Sequence, residues 1–431
     1  MHDYTDAGCL HPGNKEKSSP VNSSLPSRHI TVPENCMGCG LCANVCSKGA
    51  IRMVWSSEGF LVPRVEESLC VECGLCSHKC PALGELPQHD DDPRQLLECY
   101  GAWNRDKETL MKSSSGGVFS ALAKLVLEQG GCVFGVVWRD KLTAVFTKAE
   151  SMEEISAMRG SKYTQALPDS VYRQVKAELK RGRRVLFSGT PCQIHALRSF
   201  LGKPYENLLT ADIVCHGVPS HLLLEQYVRE KEAAKGEEVE KIDFRCKKMG
   251  WNRYSVSVTY RNGEHEDEFF GDNSYMRMFL SDLALNRVCY NCPFAHIPRQ
   301  GDLTLGDFWG VERVRPEWPI REGIASLLVN TAAGHEALKE ISEQIEMKPV
   351  AFREIYQGQG ASYIRQMRGV PSEREEVLQE ASMFPLSVLI EKYLMRIRFC
   401  GMRIRKTSLP ARSFNFVKRG VRYILRRLKN I

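Results

Sequence analysis

Eight cysteines in two runs of identical spacing constrain this chain more than any other feature. Cys36, Cys39, Cys42 and Cys46 stand as C-x2-C-x2-C-x3-C in "CMGCGLCANVC". Cys70, Cys73, Cys76 and Cys80 repeat the pattern in "CVECGLCSHKCP", 34 residues later. Three thiolates on one tight loop can cap three irons of a four-iron cubane. Gly38, Gly40 and Gly74 let the backbone curl around such a body. A pair of zinc ribbons is the competing reading, but zinc sites set two short cysteine pairs at a distance and need no third cysteine on the loop. The runs therefore point to iron, and to electrons moving through the protein.

The spacing is that of bacterial two-cluster ferredoxins, whose fourth cysteine serves the other cluster. It predicts one [4Fe–4S] centre on Cys36, Cys39, Cys42 and Cys80, and a second on Cys70, Cys73, Cys76 and Cys46. Each fourth cysteine is expected to begin a helix. Ser47 stands where proline is usual, a change that touches no ligand.

The remaining cysteines need an explanation too, since the chain holds 17 in 431 residues. Residues 1–29 are polar and lack the apolar core of a secretory signal, so a disordered leader is expected there, with Cys9 a bystander. Without an export signal, this cysteine usage points to metal or catalysis in a reducing cytosol rather than to disulfides. No run of about eighteen apolar residues exists to span a membrane. The net charge of +7 resides in the tail, where thirteen Lys or Arg face one acidic residue, Glu391, from Pro385 onward.

Between the module and the tail the pattern alternates strands and helices, which predicts parallel βαβ units with ligands at the C-terminal ends of the strands. The fold class expected is α/β (α+β overall): a ferredoxin-like module at 30–86, a linker at 87–98, a mixed α/β cofactor domain at 99–350, and a helical C-terminal region at 351–431. "MKSSSGGVFSALAKLVLEQGG" is a Ser/Gly turn running into an amphipathic helix, suited to a phosphate or to simple N-capping by serine. Lys162, in a Gly-Ser-Lys-Tyr loop, could face a phosphate or be an ordinary solvated lysine. Cys192 follows a proline at a strand-to-helix turn, where a nucleophile and a metal ligand are equally served. Cys215 ends the next strand reading. Cys289 and Cys292 form a C-x2-C pair that reads as half a metal site, because a redox dithiol would want a thioredoxin-like context.

Taken in order, "SSGGVFSAL", "RGSKYTQ", "SGTPCQIHAL", "DIVCHGVPS", "CYNCPF" and "GDLTLGDFWG" resemble the beta-subunit family of coenzyme F-420 hydrogenases and dehydrogenases. That family includes the plant 7-hydroxymethyl chlorophyll reductase, and the resemblance spans about residues 99 to 345. It implies an iron–sulfur flavoprotein that passes electrons between clusters and FAD. It places Ser114, Ser115, Gly116 and Gly117 on the FAD pyrophosphate, Ser161 and Lys162 in the same pocket, and Gly306 and Asp307 near the flavin ring. It also assigns Cys192, Cys215, Cys289 and Cys292 to a third [4Fe–4S] cluster.

The expected partners are ferredoxin or another redox protein, and a small organic substrate or a deazaflavin or nicotinamide coenzyme. A non-catalytic electron-transfer subunit is the alternative. His195 and His216 are the histidines beside motif cysteines, suited to proton delivery or to packing. In "FNFVKRGVRYILRRLKN", Phe414, Val417, Val421, Ile424, Leu425 and Leu428 share one helical face, with Lys418, Arg419, Arg422, Arg426 and Arg427 around the rest. That pattern fits a helix docked on the body or a basic amphipathic helix lying on an anionic membrane surface. The expectation is a cytoplasmic redox body with peripheral attachment to the inner face of the membrane and no nucleic acid.

Overall fold

The computed structural model describes residues 29–84, 91–358 and 368–394. Most of the leader, part of the linker and the basic amphipathic tail lie outside the described residues. Among the described residues no helix is long and apolar enough to cross a membrane.

The cysteine module is built on one antiparallel pair, β1 (Ile51–Trp55) with β2 (Leu61–Val65), and two short helices, Leu41–Val45 and Leu75–Lys79. In the body come β3 (Glu98–Asn104), β4 (Cys132–Trp138), β5 (Ala144–Ala149), β6 (Val185–Gly189) and β7 (Leu208–Ile213). A separate antiparallel meander follows: β8 (Val239–Cys246), β9 (Ser255–Tyr260) and β10 (His265–Phe269). The chain then returns to the large sheet with β11 (Leu303–Asp307), β12 (Ala325–Val329) and β13 (Ile345–Pro349).

The large sheet runs β13-β3-β12-β11-β7-β6-β4-β5. Its centre, β4-β6-β7-β11, is parallel, as the alternation of strand and helix predicts. Val185, Leu186 and Phe187 of β6 are all buried, the continuous apolar run of a strand covered on both faces. The flanks depart from the expectation: β5, β12, β3 and β13 pair antiparallel. The helix Pro191–Leu201 that links β6 to β7 starts sharply, with Pro191 in its first turn and a capping box between Thr190 and Gln193. Cys192 is thereby fixed at the sheet's C-terminal edge.

Residues 368–394 are not a layer apart from the body. Val377, Leu378, Leu386 and Leu389 are buried in one core with Tyr227, Val256, Tyr275 and Phe279 of the meander and its helices.

Candidate metal and cofactor sites

The first cysteine run closes on a small pocket of about 20 Å³, lined by Cys36, Cys39, Cys42 and Cys80 together with Met37 and Leu41. Cys80 comes from the second run, so the grouping is the crossed one that the spacing implies. Gly38 (φ 62°), Gly40 (φ 73°) and Gly74 (φ 69°) take the left-handed conformation that bends each loop. Burial pushes the Cys42 thiol up to about 12, and the Cys36 and Cys80 thiols beside it add to the rise. Backbone N–H groups of Gly38, Leu41 and Ala43 oppose the rise at Cys36, Cys39 and Cys42. Such donors favour thiolate and tune a bound cluster. Neither fourth cysteine begins a helix: Cys46 and Cys80 each end one, as C-caps of extended backbone. The cause is the three-residue gap, which winds one helical turn between the third and fourth ligands.

Around the second run, Ile30 N–H donates to Cys76 Sγ at 3.3 Å and Glu72 N–H to Cys70 Sγ at 3.4 Å. Cys46 packs in the same small apolar cluster as Cys76. Cys73 is exposed, so this end of the module is open to solvent.

Cys192, Cys215, Cys289 and Cys292, spread over a hundred residues of chain, come together beside the first run. Burial raises Cys192 first, and the Cys292, Cys215 and Cys39 thiols act on it as near neighbours. Cys289 is raised well above its ordinary value by burial and then by Cys292, Cys215 and Cys192. Donors again converge on sulfur: Thr190 Oγ1 lies 3.1 Å from Cys192 Sγ, and backbone N–H groups of Gly217, Val218 and Phe294 serve Cys215, Cys289 and Cys292. Among the described residues no three His, Cys, Asp or Glu side chains lie close enough to hold one metal ion. The same is true of the cavity holding Cys36, Cys39, Cys42 and Cys80, so this bears on lone ions and not on a cubane with more widely spaced ligands. His195 contacts Gln300 at 3.3 Å, and His216 bonds Asp282 at 2.6 Å, with Arg368 on the same carboxylate.

The module and body are joined where these two cysteine groups meet. Met37, Val288 and Phe294 form one small core, against which Cys39, Cys192, Cys289 and Cys292 pack. Gln165, buried, donates from Nε2 to Met37 O at 3.0 Å and accepts from Leu61 N–H at 2.8 Å. Tyr172 OH donates to Cys39 O at 2.7 Å, and Asn286 Nδ2 to Cys36 O at 3.1 Å.

On the opposite flank of the sheet, the helix Val118–Glu128 begins after Gly117, which sits at φ 75° and gives no side-chain cap. A Cβ at Gly116 would lie 2.1 Å from Ala102 O, so only glycine fits between β3 and β12. Ser161 N–H and Oγ reach Ser114 Oγ at 2.8 and 3.0 Å, joining the two loops that the resemblance groups together. Lys162 is neither solvated nor aimed at an anion. Its Nζ donates to the carbonyls of Ala157, Met158, Arg159 and Gly160 at 2.9–3.1 Å, closing the C-terminus of the helix Met152–Met158. The Asp307 carboxylate is held by Arg245 in a bidentate pair, 2.8 Å on each oxygen, and by Trp251 Nε1 at 2.7 Å. Burial works against its charge, but Arg245 outweighs this and keeps the carboxyl below its ordinary range. Ser115 Oγ donates to Ile324 O at 2.9 Å and lies 3.4 Å from Gly306 O, which brings Gly306 beside the loop.

Comparison with known proteins identifies the family. The N-terminal and C-terminal models of the coenzyme F420 hydrogenase/dehydrogenase beta subunit match residues 99–171 and 182–352, together more than half of the chain. A 4Fe-4S dicluster domain matches residues 35–83. The chain belongs to the coenzyme F420 hydrogenase/dehydrogenase beta-subunit family. It is 26% identical over 172 residues to a subunit of the F(420)H(2) dehydrogenase of Methanosarcina mazei, covering 38% of this chain and 47% of that protein. It is 24% identical over 331 residues to the coenzyme F420-dependent sulfite reductase of Methanocaldococcus jannaschii, covering 73% of this chain and 46% of that one. The chain thus spans about half the length of these curated relatives. A chain of the F420-reducing [NiFe] hydrogenase complex from Methanosarcina barkeri is similar at a TM-score of 0.45 and 19% identity, over 73% of this chain and 98% of that one.

In this family member, the residues missed by sequence reading are Arg245, Lys247, Gln165, Tyr172 and Asn286. Arg245 and Lys247 sit in "IDFRCKKMG", where a register shift in β8 between Asp243 and Cys246 buries Phe244 and Arg245 together. Two basic residues after an apolar strand reading were the available signal. With both motif loops, they make a polar, cationic floor under the Ser/Gly loop.

Proposed function

We propose that this chain is an iron–sulfur flavoprotein that carries electrons between its ferredoxin-type module and FAD through a third [4Fe–4S] cluster on Cys192, Cys215, Cys289 and Cys292. The observation that carries this reading is that Cys39 of the module and Cys192 of the body pack against one small apolar core. Ligands of neighbouring clusters packed this closely give single electrons a short path. Solvent-open Cys73 lies in the second run, which suits that end for exchange with a redox protein.

FAD fits the other end on two grounds. The helix at Val118 starts without a side-chain cap, and Gly116 lets the loop come in against the sheet. Ser114, Ser115, Gly116, Gly117 and Ser161 would hold the pyrophosphate through backbone and hydroxyl donors. Lys162 would do so only after leaving four carbonyls, and Asp307 acts by fixing Arg245. Bound flavin supplies the exchange of two electrons on one side for single electrons on the other. The substrate proposed is a small organic molecule or a deazaflavin coenzyme. Anaerobic purification followed by flavin extraction, iron determination and turnover with reduced deazaflavin tests the reading. Flavin and clusters without turnover of any small substrate would favour an electron-transfer subunit; the Methanosarcina mazei relative is named as a subunit of a dehydrogenase.

A further inference from the structure

Four consecutive carbonyls of the Ser/Gly loop are taken by donors, two from Arg245 and Lys247 at the end of β8 and two from Asn104 at the end of β3. Arg245 Nη2 donates to Ser114 O at 2.8 Å and Lys247 Nζ to Ser115 O at 2.6 Å. Asn104 N–H donates to Gly116 O at 2.7 Å, and Asn104 Nδ2 lies 3.4 Å from Gly117 O. A peptide's C=O and the following N–H point in opposite directions. The N–H groups of Ser115, Gly116, Gly117 and Val118 are therefore turned away from these donors, and among the described residues none of them has a protein acceptor.

We infer that Lys247 and Arg245 are positioning residues for an anionic ligand, holding the loop from behind so that its N–H groups form a ready-made nest for a phosphate. This rests on the flavin reading above and names how its phosphate end is recognised. Lys247 is buried, and Nζ also donates to Leu110 O at 2.8 Å and Glu322 O at 2.6 Å, so one ammonium ties the helix before the loop, the loop itself and the segment before β12. Gly323, at φ 105°, makes room for it: a Cβ there would lie 2.8 Å from Nζ. Burial, then the Arg245 charge, pulls Lys247 down to about 7. The ammonium's cost of burial is offset by three carbonyls and would be relieved further by an anion on the far side of the loop. Arg245 is anchored in turn by Asp307 and by Tyr163 OH at 3.0 Å, and lies 4.4 Å from the Tyr254 ring centroid.

The test compares affinity for FAD with affinity for riboflavin, which lacks phosphate, in the full-length holo-cluster protein after the flavin is removed. Lys247→Met should weaken FAD by about tenfold or more, the scale of one charge-assisted contact, and leave riboflavin binding and iron content unchanged. Lys247→Arg and Lys247→Gln, which keep donors at that depth, should recover part of the FAD affinity and guard against a Met variant that does not fold. Equal losses for FAD and riboflavin, or no loss of either, would overturn the positioning role. A wild type that binds both flavins equally well would also overturn it, whereas one that binds neither would instead remove the flavin reading on which this inference stands.

Discussion

Replacing Gln165 by leucine should loosen the cysteine module from the body while leaving each with its own core. The Gln165 carboxamide is buried and serves two backbone groups of the module, the Met37 carbonyl and the Leu61 N–H. Leucine fills similar space but leaves both groups without a partner, away from water. Each orphaned group costs about 1–3 kcal/mol, so the change should take about 2–6 kcal/mol from the docked state. Gly38 leaves the room that the carboxamide occupies, since a Cβ there would lie 2.1 Å from Gln165 Nε2. Gln165→Glu keeps the acceptor for Leu61 but turns a carboxylate on the Met37 carbonyl, and should be no better. The assay is denaturant unfolding followed by cluster absorbance and by tryptophan emission. The variant should lose cluster absorbance at lower denaturant than it loses body structure, with the Cys36 loop failing first. Coincident transitions shifted by less than about 0.5 kcal/mol, the scale of an inconsequential surface change, would refute the reasoning.

Other perturbations separate the sites from one another. Gly116→Ala should destabilise the body by about 1–3 kcal/mol as an overpacking change, since its Cβ would meet backbone of both β3 and β12; a thermal melt checks it. Gly117→Asp should strip flavin and spare iron, because it adds a carboxylate and a strained left-handed residue at the helix start; flavin fluorescence and iron analysis read the two effects. The Asp307 carboxyl lies below its ordinary pKa when folded, so its pair with Arg245 contributes stability above the unfolded carboxylate range and loses it as pH falls through the folded value. Thermal melts from pH 6 down to about pH 3 should therefore fall less steeply in Asp307→Asn than in wild type.

The two cysteine loops of the module were legible because they are local: C-x2-C-x2-C-x3-C sets loop and cysteine order within eleven residues, although the helix ends at the fourth cysteine instead of starting there. The parallel centre of the sheet was legible for the same reason, through the uninterrupted apolar run at Val185–Phe187 and the turn at Thr190-Pro191. The antiparallel flanks were not, since β3 pairs with strands more than two hundred residues away and nothing in "ECYGAWN" specifies them. The capping role of Lys162 was hidden because a helix C-terminus that folds back on its own following loop leaves no periodic trace. Gln165, Tyr172 and Asn286 escaped notice as ordinary polar residues, their partners being carbonyls of the cysteine loop more than a hundred residues away. Burial of Arg245 depends on a register shift in β8, which composition does not announce.

The most direct test of a third cluster beside the module is iron stoichiometry with low-temperature EPR on anaerobically purified wild type and Cys192→Ala. Cys192 packs on the same small apolar core as the module's Cys39 and as Cys289 and Cys292, so its loss should abolish one cluster and uncouple its neighbour. About twelve irons per chain are expected in wild type and about eight in the variant, with disappearance of one of three reduced-cluster signals and its spin coupling. About eight irons in fully loaded wild type, unchanged by Cys192→Ala, would contradict the three-cluster electron path.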